Sequence, residues 1–292
     1  LPVRADLFNR VAWQLKKRAN VKVYAWMPVL SFDLGDSFQY VIDVRTGSES
    51  PDHYRRLSPY VAKNRNIISE IYQDLGRLTK FDGLLFHDDA FFTDFEDASP
   101  EALTTYERAS LPRDINAIRN DENLMSIWAR LKTEYLTDFT LELAQAANYY
   151  RQADNKVFTT SRNLYAVTVM EPRSQRWFAQ DIQNFAANYD FVAVMAMPYM
   201  EEAENPNEWL RGLAKRSLAQ VGADQLVFEL QAQNWHTQTP ISSEEMAQWV
   251  RILREEGIKH IGYYPDDFHQ NHPNINVMRP VFSIGRRFRA IQ

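Results

Sequence analysis

The chain has 292 residues, no cysteine and a net charge of −5, with a pI near 5.8. A disulfide framework, a thiolate nucleophile and a cysteine-ligated metal are therefore excluded, and the acidic balance argues against nucleic acid, whose phosphates call for clustered Lys and Arg. At 45% hydrophobic and 24% charged residues, it reads as a globular chain long enough for one large α/β domain or two ordinary ones.

The terminal run Arg286-Arg287-Phe288-Arg289 is too short to reverse the charge argument and reads as a solvated tail. No apolar run approaches the roughly 18–20 residues of a membrane span. The opening LPVRADLFNR has no signal-peptide character, so an export signal would lie outside this chain. Aromatic residues are the compositional excess, with 7 Trp, 14 Tyr and 17 Phe. Either a large core or a sugar-stacking surface uses such a surplus.

In chain order, ADLFNRVAWQLKKR (5–18) is helix-like. VKVYAWMPVL (21–30) is a β-branched and aromatic run, hence a strand. NRNIISEIYQDLGRLT (64–79) spaces Ile67, Ile68, Ile71, Tyr72 and Leu75 as one helical face. FDGLLFHDD (81–89) is a strand, and 125–150 a long amphipathic helix. KVFTTSRN (156–163) is a strand, followed by a helix over 174–189 with Ser174 as its N-cap. FVAVMAMPY (191–199) is a buried strand, and 206–222 a helix closed by Gly222. QLVFELQAQNW (225–235) is a strand. The helix over 242–257 opens on a capping box, Ser242 with Glu245, and closes on Gly257. KHIGYYPDDF (259–268) is the last strand.

Strands alternating with helices predict a parallel sheet with right-handed crossovers. No Gly-rich phosphate loop follows any strand, which disfavours a dinucleotide-binding open sheet. Strand after strand instead ends on polar or aromatic groups: Trp26; His87-Asp88-Asp89; Arg162-Asn163; Pro198-Tyr199; Gln231 to Trp235; Tyr263 to Asp267. In a (β/α)8 barrel these ends converge on the face that carries active sites. Six strands are found where a barrel needs eight. The expectation is therefore a single barrel domain over 1–292 that lacks its first N-terminal strands.

Paired carboxylates at a barrel mouth suit glycoside hydrolysis, one acting as acid, the other as base or nucleophile. Asp88 is the expected acid or base and Asp89 its close neighbour. Glu229, inside an otherwise apolar strand, is a further catalytic candidate or else a structural ion-pair partner. Asp94 either meets sugar hydroxyls and amino-sugar cations or belongs to an ordinary acidic loop. Trp177 and Phe178 either stack on sugar or pack. Trp235 and Tyr264, each at a strand end, are expected to stack. His87 is either a charge partner or a packed rim residue. The six histidines are scattered and no HExxH cluster occurs, so neither metal nor cofactor is expected.

The segments RADLFNRVAWQLKKR, VYAWMPVLSFDL, YRRLSPY, FDGLLFHDDAFFTDFEDAS, LTDFTLEL, WFAQ, MAMPY, ELQAQNW and YYPDDF resemble the C-terminal domain of PgaB-type proteins. These modify poly-β-1,6-N-acetyl-D-glucosamine in bacterial biofilm systems. The resemblance covers almost the whole chain. It implies a periplasmic, outer-membrane-associated protein whose N-terminal metal-dependent deacetylase domain is absent here, so no deacetylase activity is expected. It implies a (β/α) barrel that binds the polymer and hydrolyses its partially de-N-acetylated form from within, with an outer-membrane export porin as a possible partner. By position it implies an acidic cleft of Asp88, Asp89 and Asp94, and a sugar platform of Tyr54, Trp177, Phe178, Trp235, Tyr264 and Asp266. The alternative is a non-catalytic module that guides the deacetylated polymer to export.

Overall fold

The computed structural model describes residues 6–19, 21–49, 54–150 and 157–282. His53 and the basic tail lie outside them. The chain divides into two compact units, Leu1–Asn163 with Arg173–Phe191, and Leu164–Pro172 with Val192–Gln292. In chain order the elements are α1 (Leu7–Ala19), β1 (Tyr24–Met27), α2 (Ala62–Leu78), β2 (Gly83–Phe86), α3 (Pro100–Arg108), α4 (Ile115–Arg119), α5 (Glu122–Asn148) and β3 (Thr159–Tyr165). They continue with α6 (Val167–Met170), α7 (Gln175–Phe178), α8 (Ile182–Asn188), β4 (Phe191–Ala196), α9 (Pro206–Leu218) and β5 (Leu226–Gln231). A short hairpin, β6 (Gln233–Asn234) and β7 (Thr239–Pro240), precedes α10 (Ser243–Glu255), β8 (His260–Tyr264) and α11 (Ile275–Phe282). All six predicted strands are present, each shorter than the apolar run that signalled it.

In the first unit, β2 is the central strand of a parallel ladder, with Met27 opposite Phe86 and Phe86 opposite Arg162. Leu84 and Phe86 are fully buried, as strands covered on both faces require, and each such side chain contributes about 2 kcal/mol. Gly83 is dictated by close approach: a Cβ there would sit 2.2 Å from the Thr159 carbonyl oxygen. On α2, the buried residues Asn64, Ile68, Tyr72 and Gly76 recur every fourth position, which makes one stripe facing α5. Gly76 ends that stripe because a Cβ would meet the Ala147 carbonyl oxygen at 1.9 Å.

In the second unit, β5 lies between β4 and β8, all parallel, with Glu229 between Met195 and Gly262. Trp249, Val250 and Leu253 of α10 are fully buried, and α10 packs on α9 and α11.

Some local expectations are corrected. The helix expected over 174–189 is broken into α7 and α8, and the side chain of Ser174 caps nothing. Asp181 is the cap, accepting from the Asn184 amide at 2.6 Å. Gly222 does not close α9, which ends at Leu218 with Ala219 as its C-cap. Ser242 caps α10 as expected, accepting from the Glu245 amide. Glu245 itself accepts from the Tyr199 hydroxyl at 2.5 Å. Gly257 takes the left-handed conformation, φ +97°, that glycine supplies after a helix. Helices α3 and α4, capped by Ser99 and Asp114, stand where the sequence reading assigns no element.

Candidate active site

The ladder of β2 runs one residue past the strand, since the His87 amide donates to the Met27 carbonyl at 3.0 Å. The two carboxylates that follow part company. Asp89 is fully buried, and its carboxylate accepts from the backbone amides of Val29, Leu30 and Ser31, at 3.0, 2.7 and 2.5 Å. Pro28 ends β1 just before, leaving these buried amides without a ladder, and buried donors need acceptors. Asp89 thus holds the loop after β1, while remaining the close neighbour of Asp88 expected from the sequence, with both carboxylates beside His87 Nδ1.

Asp88 is buried, 8% exposed, and accepts from His87 Nδ1 at 2.8 Å. Asp89 Oδ1 lies 3.4 Å from the same nitrogen. Burial pulls the His87 imidazole toward its neutral form, but hydrogen bonds and charge from Asp88 and Asp89 outweigh it, and its pKa is pushed up to about 10. At neutral pH the ring is an imidazolium. The Asp89 amide also lies 3.3 Å from Nδ1. A protonated Nδ1 cannot accept, so the shorter bond to Asp88 is the one that forms. The charged ring sits between two exposed aromatics, Trp26 at 4.9 Å and Tyr54 at 5.6 Å between ring centroids, and aromatic faces stabilise such a cation. Trp26 is oriented by its indole N–H, which donates to Asn163 Oδ1 at 3.1 Å. The ends of β1, β2 and β3 thus gather Trp26, His87, Asp88 and Asn163, with Tyr54 beside them.

The rest of the acidic loop is spent on the fold. Asp94 accepts from Arg119 Nε and Nη2 at 3.1 and 3.0 Å, both on Oδ2. Glu96 is fully buried and takes Arg56 Nη2 at 2.8 Å on each oxygen. Asp97, also buried, accepts from the Ile42 and Ser99 amides and the Ser58 hydroxyl. Glu96 and Asp97 of this loop are thus engaged inside the fold.

Trp177 is exposed and lines a small cavity with Asp94 and Arg119, while Phe178 leans on the buried Phe91 at 6.3 Å. In the second unit, Trp235 and Tyr264 form a tilted pair, centroids 5.9 Å apart, because Gln231 lies opposite Tyr264 in the ladder. Asp266 is exposed and accepts from the Tyr263 hydroxyl at 3.2 Å. Strand β5 stops at Gln231, so Glu229, Gln231, Gln233 and Trp235 do not form one continuous strand face. Gln231 is buried and structural: its Oε1 accepts from the Tyr199 and Met200 amides. Glu229 is half-buried in mid-strand. Sequence reasoning passed over the arginines around Trp177, whose partners lie 25 to 54 residues away and leave no local signal.

Comparison with known proteins places this geometry. Residues 1–264 match the family described as hypothetical glycosyl hydrolase family 13, and the chain belongs to that family. It is 42% identical over 97% of its length to the poly-beta-1,6-N-acetyl-D-glucosamine N-deacetylase of Escherichia coli K12, of which it spans 43%. The PgaB (BpsB) glycoside hydrolase domain of Bordetella bronchiseptica is 46% identical, with a TM-score of 0.90 over 98% of this chain and 82% of that one. A β-galactosidase of Rahnella sp. R3 shares the fold at 12% identity, with a TM-score of 0.59 over 94% of this chain and 47% of that one. The expected fold class, α/β of the (β/α)8 type with six parallel strands in this chain, therefore stands. The chain is a PgaB-type glycoside hydrolase domain.

Proposed function

We propose that this chain cleaves partially de-N-acetylated poly-β-1,6-N-acetyl-D-glucosamine internally, with Asp88 as the acid–base carboxylate. One observation carries the reading: Asp88, just past the end of β2, is hydrogen-bonded to the His87 imidazolium, whose ring has the exposed rings of Trp26 and Tyr54 at 4.9 and 5.6 Å. Flat rings hold the sugar while a carboxyl moves a proton at the glycosidic oxygen. The names of the Escherichia coli and Bordetella relatives support the polymer as substrate.

The imidazolium of His87 orients Asp88 and holds its charge. The proposal extends to a periplasmic location, attachment to the outer membrane through a region outside this chain, and delivery of product toward an export porin. Among the described residues, no helix is long and apolar enough to cross a membrane. The competing reading, a binding module without turnover, draws on the internal pairing of Glu96 and Asp97 in the loop after β2.

Incubating the polymer with the parent and with Asp88→Asn, then reading products by mass spectrometry, separates the two. Shorter oligosaccharides from the parent and none from the variant support hydrolysis. Binding without products from either supports the module.

A further inference from the structure

Among the described residues, two arginines are buried, both in the first unit. Arg56 is matched by the carboxylate of Glu96. Arg162 is fully buried and hydrogen-bonds only to neutral groups. It lies on β3 opposite Phe86, the last residue of β2. Its Nη2 donates to the Ala90 carbonyl at 2.8 Å, and its Nη1 to the Tyr189 and Thr137 hydroxyls at 3.1 and 3.4 Å. The guanidinium carbon sits 4.3 Å from the centroid of the Phe185 ring, and Nε is buried without a partner. A guanidinium cannot shed its proton, and a buried charge without a counter-charge is destabilising. Satisfying one carbonyl does not require it, since a neutral donor would serve.

The place of the contact gives the charge a use. Ala90 directly follows Asp88 and Asp89 in the chain, and its carbonyl is where the guanidinium grips that segment. At neutral pH the His87 imidazolium and the two carboxylates carry one net negative charge, which one guanidinium cancels. A charged fork both holds the backbone and opposes that charge. On its other side the grip is anchored to two helices, through Thr137 of α5 and through Tyr189, which ends α8. We infer that Arg162 is a positioning residue: through the Ala90 carbonyl it fixes the turn after β2 and so aims the Asp88 carboxylate. The inference rests on the reading of Asp88 as the acid–base group.

Arg162→Met strands the Ala90 carbonyl in the core and costs the fold as well as the site, so Tyr189→Phe is the sharper variant. It removes one acceptor of the guanidinium and keeps the ring. Thr133→Val, a buried change on α5 whose hydroxyl donates to the Ala129 carbonyl, is the control. Two readouts apply. One is kcat and KM on the partially de-N-acetylated polymer. The other is solvent exchange of the His87 Nδ1 proton, followed by NMR with isotope-labelled histidine, which reports the hold of Asp88 on the ring without substrate. In Tyr189→Phe, kcat falls about tenfold with KM within about twofold of the parent's, and the proton exchanges about tenfold faster. In Thr133→Val neither moves. A His87 proton that keeps the parent's exchange rate in Tyr189→Phe, or is equally accelerated in both variants, overturns the clamp and leaves the role of Asp88 intact. If the parent releases no products, the acid–base reading of Asp88 fails, and exchange alone decides whether Arg162 holds that carboxylate: faster in Tyr189→Phe supports it, unmoved overturns it.

Discussion

Nδ1 of His87 donates to Oδ1 of Asp88 across 2.8 Å, on a ring whose pKa is pushed up to about 10. A histidine raised from its ordinary value of about 6.5 contributes stability that is fully present below that value and is lost as pH rises through 10. The stability of the parent over His87→Gln, measured by urea unfolding, should therefore shrink steadily between about pH 7 and pH 10. A lead that is constant over this window would mean that the ring is neutral.

Lys132 works in the opposite direction. It is fully buried on α5, donates to the Thr93 and Glu96 carbonyls at 2.7 and 3.0 Å, and burial lowers its pKa to about 7 against the pull of Glu96. The unfolded chain binds this proton more tightly, so stability from Lys132 rises with pH between about 7 and 10.5. The two groups offset one another in the parent. Lys132→Met should expose the fall due to His87, and His87→Gln the rise due to Lys132, both read as slopes of unfolding free energy against pH.

Asp89→Asn tests the structural carboxylate. An amide oxygen replaces a charged acceptor of three backbone amides, and each charge-assisted bond is worth about 1.5–3 kcal/mol. A loss of about 3 kcal/mol in urea unfolding is expected, far more than for Asp88→Asn. Equal losses at the two positions would contradict the division of roles.

The buried Arg56–Glu96 pair gives a further prediction. Removing one partner strands a charge, which costs about 3–5 kcal/mol, so Glu96→Gln should lower the melting temperature sharply. Arg65→Ala, which breaks a more exposed pair with Glu142, should cost about 1 kcal/mol at most. Calorimetric melting of both variants measures the contrast.

The six strands were legible as short apolar or β-branched runs between helical segments, as in Leu84-Leu85-Phe86; β3 and β4 are buried along almost their whole length. The fate of the acids that follow β2 was not legible. Glu96 finds Arg56 at a separation of 40 residues, Asp97 finds Ile42 at 55, and Asp89 finds Val29 at 60. No local pattern announces such pairings, so an internally satisfied loop looked the same as a substrate-facing one. The break between α7 and α8 was hidden for a similar reason: Ala179 adopts a left-handed turn, φ +49°, without the glycine that usually marks one.

The most direct test of the account is turnover of the partially de-N-acetylated polymer by Asp88→Asn, with its melting temperature taken in parallel. The account predicts melting within about 3 °C of the parent, as expected of a change of about 1 kcal/mol or less in a chain of this size, and a loss of turnover of at least about a hundredfold, the usual worth of an acid–base group. A well-folded Asp88→Asn that releases oligosaccharides at the parent's rate would contradict it.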